Sequence, residues 1–328
     1  MEQQLSLFSP EPESPAKSGG VGGVAVSDAT HLLAQRLGPL LRLGTSSWSF
    51  PGWKGTVYDD AYDETTLARS GLAAYAAHPL LRTVSIDRTY YGPLEPSDYE
   101  DYARRVPEDF RFMVKAPADC TTPWLRGAGG QPAGDNPRFL DPKFACETFV
   151  LPASEGLGGN CGPLVFQFPP QGRQASRHPR QFADRLFEFL SRLPRLPLYA
   201  VELRDAPLMT DTYVEALRAT SVQHCVSVHP KAATLRDQAD VLAALGPSPL
   251  VVRWNLNPAH TYAEAKERYA PFDRLQEEDL ASRDSLARLC VRALQAGQPA
   301  WLVANNKAEG SAPLSAFALA GAVDRLLS

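Results

Sequence analysis

One theme recurs along this chain and limits what it can fold into: a short apolar, β-branched run, then a stretch with helical spacing. The runs fall at Leu41–Ser46, Thr83–Thr89, Phe110–Ala116, Pro163–Phe168, Leu198–Arg204, Val222–His229, Leu250–Asn255 and Ala300–Asn305. Each has the length and composition of a strand. Helical spacing of apolar residues follows at Leu67–Ala77, Gln181–Leu190, Thr212–Ala219, Leu280–Gln295 and Leu314–Leu327. Strands that alternate with helices run parallel, because the helix carries the chain back to the starting edge. Eight such units favour closure over an open sheet. The expected fold class is therefore α/β, a single (β/α)8 barrel of the triosephosphate isomerase type. The 328 residues would also accommodate two domains, but barrels of this kind ordinarily form one unit of about 250 residues.

Residues 1–38 break the theme. Ser9-Pro10-Glu11-Pro12-Glu13-Ser14-Pro15, then Gly19-Gly20 and Gly22-Gly23, carry too little apolar surface to offset their ordering entropy. The chain is expected to divide into a disordered tail over 1–38, with a short helical turn near 31–38, and a barrel over 39–328.

Composition narrows the function. The formal net charge is -4, which argues against nucleic-acid binding over a broad surface, since that is driven by neutralising phosphates. The five cysteines (Cys120, Cys146, Cys161, Cys225 and Cys290) are odd in number and lack C-x-x-C spacing, as expected of a reduced, cytoplasmic chain without a structural zinc site. No apolar run is long enough to span a membrane. The six histidines form no H-x-H or H-x-x-x-H pair, and there is no G-x-x-x-x-G-K-[ST] loop. Neither a metal nor a cofactor is expected.

Alternation along strands shows which side chains share a face. Val201 and Leu203 share one parity and suit packing on helices, which turns Glu202 and Arg204 inward. Lys115 ends the third run, Gln167 the fourth, His229 the sixth and Arg253 the seventh. Asp87 lies near the end of the second, and Asn305, Asn306 and Lys307 end the eighth, with Glu309 just beyond. Charges are costly to bury unless paired or used, so a ring of them around one mouth points to a site for a polar, anionic ligand. Other readings fit single residues: a buried ion pair for Glu202 and Arg204, a backbone contact for Gln167, a hydrogen-bonded core histidine for His229. Two long connections, 117–140 and 255–279, would lie at the same C-terminal rim, where barrel enzymes place their sites.

These segments together resemble the YecE-like family, domain of unknown function 72, from about Leu43 to Leu327. Gly44-Thr45-Ser46-Ser47-Trp48-Ser49-Phe50 is similar to its G-T-S-x-W-x-[YF] opening. Val84-Ser85-Ile86-Asp87-Arg88-Thr89-Tyr90-Tyr91 is similar to V-E-I-N-x-T-F-Y, and Phe110–Lys115 to F-x-F-x-x-K. Gly162–Pro170 resembles G-P-L-L-F-Q-L-P-P, and Ala200–Arg204 resembles A-V-E-F-R. Asn305-Asn306 and Glu309-Gly310 fall where the family has N-N-x-x-E-G. The resemblance implies the barrel and no particular reaction. The chain departs from the pattern at Ser85 and Asp87, where the family has an acid and an Asn. It also lacks the Trp after A-V-E-F-R (Pro207 and Leu208 stand there) and the His after the third-strand Lys. The missing acid weighs against a two-carboxylate mechanism.

The rim residues suggest roles. Glu202, Asp87 and His229 are candidates for acid–base work. Lys115 is a candidate electrostatic group or, if desolvated, a Schiff-base amine. Arg204 and Arg253 suit bidentate capture of a carboxylate or phosphate. Gln167, Asn305 and Asn306 are candidate polar contacts. Trp48, Tyr90 and Tyr91 could stack on a sugar or base, or simply pack the rim. The leading expectation is a metal-independent lyase, isomerase or hydrolase acting on a phosphorylated or nucleic-acid-derived substrate.

The tail carries Gln4-Leu5-Ser6-Leu7-Phe8, which resembles the Q-L-[SD]-L-F peptide by which bacterial proteins bind the DNA-polymerase sliding clamp. Gln4, Leu5, Leu7 and Phe8 would be the contacts, and the Pro/Gly linker would tether the barrel near DNA, a link to DNA repair that needs no basic surface. Two alternatives follow: a non-catalytic protein that binds a nucleotide or nucleic-acid end at the clamp, and a metabolic enzyme whose tail match is accidental.

Overall fold

The computed structural model describes residues 20–127, 131–195 and 197–328. Among the described residues there are ten strands: β1 (Leu41–Thr45), β2 (Leu81–Ile86), β3 (Arg111–Lys115), β4 (Trp124–Arg126), β5 (Pro132–Asp135), β6 (Cys161–Phe168), β7 (Tyr199–Leu203), β8 (Gln223–Val228), β9 (Leu250–Trp254) and β10 (Ala300–Ala304). Eight close into a parallel barrel in the order β1-β10-β9-β8-β7-β6-β3-β2. β4 and β5 form a separate antiparallel hairpin. The expected α/β barrel of eight units is the observed fold.

Strand alternation sorts the core into two parts. Val201 and Leu203 of β7 and Phe166 and Phe168 of β6 point outward into the large core between sheet and helices. There Phe166 meets Phe149 and Phe189 edge-on, at 5.6 and 5.2 Å between ring centroids. The helix Pro179–Ser191 supplies Phe182, Leu186, Phe189 and Leu190 at the spacing that keeps one face apolar. Inside the barrel, Met113, Val165, Ala200, Cys225, Val251, Trp301 and Val303 form an apolar plug, each large side chain contributing about 1.5–3 kcal/mol by leaving water. The next inward position on each strand lies above that plug and is polar. Close strand contact also dictates β1: a Cβ on Gly44 would sit 1.8 Å from the Thr83 carbonyl oxygen, so only glycine fits there.

Several boundaries differ from expectation. The helical turn foreseen near 31–38 is a ten-residue helix, Asp28–Leu37, capped by Ser27. Arg36 pairs with Asp324 of the last helix at 2.7 Å, and Val24 donates its N–H to the Val57 carbonyl at 3.0 Å. The part of the expected disordered tail from residue 20 onward is therefore packed on the barrel. The remainder, with the Gln4, Leu5, Leu7 and Phe8 peptide, lies outside the described residues. The second strand ends at Ile86, because the chain turns at Arg88–Tyr90. The connection after β3 holds the hairpin, and the one after β9 holds a helix, Tyr262–Tyr269. No helix among the described residues is long and apolar enough to cross a membrane.

Candidate functional site

The polar layer above the plug is organised by Glu202. Its carboxylate is fully buried and accepts four hydrogen bonds. Arg204 Nε, Ser227 Oγ and Asn255 Nδ2 reach Oε1 at 3.0, 2.8 and 3.3 Å, and Arg253 donates to Oε2 at 2.8 Å. Arg253, 2 % exposed, also donates to Asp87 at 2.6 Å, whose other oxygen accepts from Ser85 at 2.6 Å. Burial opposes the Glu202 charge, but Arg204 and Arg253 outweigh it and hold the carboxyl well below the usual carboxylate range. Asp87 and Glu202 similarly hold the buried Arg253 guanidinium above its ordinary value. The family-like acid position at Ser85 thus serves here as a hydroxyl support for Asp87.

Above this network lies an open cavity of about 790 Å³ at the C-terminal ends of the strands. Asp87, Lys115, Gln167, Arg204, His229, Arg253 and Asn305 line it, with Tyr90 and Tyr91 on one side and Tyr262 on another. Nine of the twelve rim residues marked by parity and motif therefore converge on one space. Three do not. Glu202 lies beneath the cavity with both oxygens engaged, where it holds two arginines. Trp48 is turned into the outer core, edge-on to Tyr102 at 5.3 Å, with its indole N–H toward the Ala68 carbonyl. Asn306, 1 % exposed, accepts from the Trp53 indole at 3.2 Å and from the Ala312 N–H at 2.8 Å, so it braces the β10 turn.

The rest of the Asn-Asn-x-x-Glu-Gly segment is also bracing. Glu309 accepts from Arg283 at 2.7 Å and from the Asp279 N–H at 2.8 Å, which ties down the connection after β9. Gly310 adopts φ +116, and a Cβ there would lie 2.5 Å from the Arg274 carbonyl. Only Asn305 faces the cavity. Its amide donates to Ser46 at 2.8 Å, and its oxygen accepts from the Lys307 N–H at 3.0 Å.

Lys115 ends β3 with the same inward parity as Met113. Its Nζ sits 3.4 Å from the centroid of the Tyr90 ring and has no carboxylate partner among the described residues. Burial, then the charge of Arg253, pushes the ammonium from 10.5 down to about 7. Burial and the charge of Arg204 likewise push His229 down to about 4, so its ring is neutral at neutral pH. The Lys231 backbone N–H, which can only donate, meets Nδ1 at 3.0 Å. A neutral ring accepts at one nitrogen only, and the shorter backbone contact assigns that role to Nδ1 and the ring proton to Nε2. That nitrogen faces Arg204 Nη1 at 3.3 Å: two donors in contact, with no acceptor between them. The Gln167 side chain also has no hydrogen-bond partner among the described residues. No group of three or more His, Cys, Asp and Glu among them is arranged to hold a metal ion.

Sequence reasoning passed over Ser227 and Asn255 as site residues, although each shares inward parity with a residue that was marked, His229 and Arg253 respectively. It had no signal for Tyr262, which reaches the cavity from a helix inside a long connection and carries Lys307 Nζ 4.4 Å from its ring centroid.

A family model described as "Protein of unknown function DUF72" matches residues 42–327. The chain belongs to the DUF72 family. A DUF72 protein from Enterococcus faecalis V583 superposes with a TM-score of 0.58 at 16% identity, covering 87% of this chain and 95% of that one. One from Thermotoga maritima MSB8 gives 0.57 at 21% identity, covering 88% and 98%. At these identities the likeness concerns the fold. The "UPF0759 protein YunF" of Bacillus subtilis (strain 168) is 28% identical over 120 residues, 36% of this chain and 38% of that relative. The chain thus matches under two-fifths of that relative's length.

Proposed function

We propose that this DUF72 chain is an enzyme that binds a small anionic molecule in the rim cavity and acts on it through Lys115 and His229. The observation that carries this reading is the 3.3 Å meeting of Arg204 Nη1 with the protonated Nε2 of His229. An anionic oxygen between them accepts from both and turns a donor–donor contact into two hydrogen bonds, one of them charge-assisted. Two further features support it. The free amide of Gln167 offers another donor, and Lys115 brings a cation that no carboxylate of the site neutralises by direct contact.

The titratable groups favour proton transfer. An amine near 7 exchanges its proton readily at neutral pH. The neutral His229 ring donates a hydrogen bond without giving up its proton. Glu202 stays ionised and holds both arginines in place, so the donors keep their geometry as charge moves on the substrate.

Calorimetric titration with inorganic phosphate tests the reading. The unmodified chain is expected to bind, and Arg204→Met to bind at least tenfold more weakly, because a hydrogen bond to a charged group contributes about 1.5–3 kcal/mol and about 1.4 kcal/mol is tenfold. Equal affinity of the two proteins, or no binding by either, would overturn it.

A further inference from the structure

The anion site leaves open what Lys115 does beyond carrying charge, and the following inference rests on that site. We propose that Lys115 forms a Schiff base with a carbonyl carbon of the bound anion, so that the substrates are small oxo acids or phosphorylated aldehydes and ketones. The amine has the setting such chemistry needs. It ends a barrel strand, and its backbone carbonyl accepts from the Thr89 hydroxyl, so the stem starts from a fixed point. Its Nζ opens into the cavity rather than onto a carboxylate.

The nearby carboxylates are engaged elsewhere and do not neutralise it. Arg204 and Arg253 are both held by Glu202, and Asp87 is committed to Arg253 and Ser85. A desolvated lysine beside fixed cations is an activated nucleophile, and burial with Arg253 brings this one to about 7. The free amine is therefore within reach at neutral pH. Arg204, His229 Nε2–H and Gln167 remain to hold the carboxylate or phosphate of the same substrate.

The step balances without any other reactant. The neutral amine attacks the carbonyl carbon, the C–N bond forms, and the C=O π pair moves to oxygen. The oxygen takes two protons in all and leaves as water, while the nitrogen pair closes the C=N bond. Counted from the ammonium, one cation and one carbonyl give one iminium cation and one water. The site's charge is unchanged, so Asp87 and Glu202 still balance Arg204 and Arg253, and the Tyr90 ring face meets a cation before and after.

Borohydride trapping tests this. The full chain is incubated with pyruvate, or with glycolaldehyde phosphate, and sodium borohydride, which delivers hydride to the iminium carbon. Expected is a single adduct weighing the probe less one oxygen, mapped by peptide mass spectrometry to Lys115 and absent from Lys115→Arg. Lys115→Met repeats the control should the arginine disturb folding, with thermal melts reporting the fold of each. Phosphate titration runs in parallel. Phosphate binding with no adduct from either probe overturns the Schiff base and leaves the anion site standing, as does an adduct that persists in both variants. Loss of phosphate binding in the unmodified chain instead removes the anion site on which the inference rests.

Discussion

Replacing Lys115 with methionine should stabilise the chain at neutral pH, by an amount that fades as the pH rises. Methionine keeps the length of the stem and removes the ammonium. In the folded chain that ammonium loses its proton near 7, against 10.5 in the unfolded one. The unfolded state holds the proton more tightly, so folding below pH 7 costs the whole displacement. At about 1.36 kcal/mol per pH unit this is up to about 5 kcal/mol, and water entering the open cavity trims it to about 3–5 kcal/mol. Lost contact with the Tyr90 ring returns about 0.5–1 kcal/mol in the other direction. The sign follows from a lowered lysine pKa: the penalty is full below the folded value, shrinks between about 7 and 10.5, and is gone above. Urea unfolding of both proteins in phosphate-free buffer, from slightly acid to strongly alkaline pH, reads the difference directly. A gap that stays constant with pH, or a methionine variant less stable throughout, would refute the claim that Lys115 is held desolvated among cations.

Glu202→Gln should lower stability by about 3–5 kcal/mol, since it leaves the buried Arg253 with Asp87 as its one carboxylate. Because the folded Glu202 pKa is depressed, its contribution is present above the unfolded value near 4.5 and is lost as pH falls below it. Below about pH 4.5 the stability of the variant should therefore decline less steeply than that of the unmodified chain. Asn306→Ala should cost about 1–3 kcal/mol for each donor it strands, Trp53 and Ala312, and leave phosphate affinity unchanged; weakened phosphate binding at an unaltered melting temperature would place Asn306 in the site after all. Replacing Leu7 and Phe8 with Ala should abolish binding to a bacterial sliding clamp, because each anchor contributes about 1.5–3 kcal/mol when buried. Paired calorimetry and thermal melts decide this, and a lowered melting temperature would instead make these residues part of the barrel's packing.

The barrel was legible because parallel strands covered on both faces are written as apolar runs. The run at Leu250–Asn255, for instance, differs from β9 by one residue. Helices with mixed faces were not. Pro96–Ala103 buries only Tyr99 and Tyr102 amid acidic residues, and the helical stretch 142–157 begins within a Pro- and Gly-rich segment. In the site, parity found the inward side chains but not their depth. Glu202 and Arg204 share a face, yet two positions along a strand separate a buried floor from a cavity wall. Beyond the strand ends parity no longer applies, which is why Trp48 and Asn306, both in turns, were placed at the rim and are not there.

The proposed function requires that Arg204 and His229 share an anionic oxygen. A crystal structure of the chain with inorganic phosphate measures this most directly. A phosphate oxygen is expected within hydrogen-bond distance of both Arg204 Nη1 and His229 Nε2, at about 2.7–3.2 Å, with Lys231 still donating to Nδ1. Phosphate bound elsewhere, or a cavity in which the two donors stay in contact with nothing between them, would contradict it.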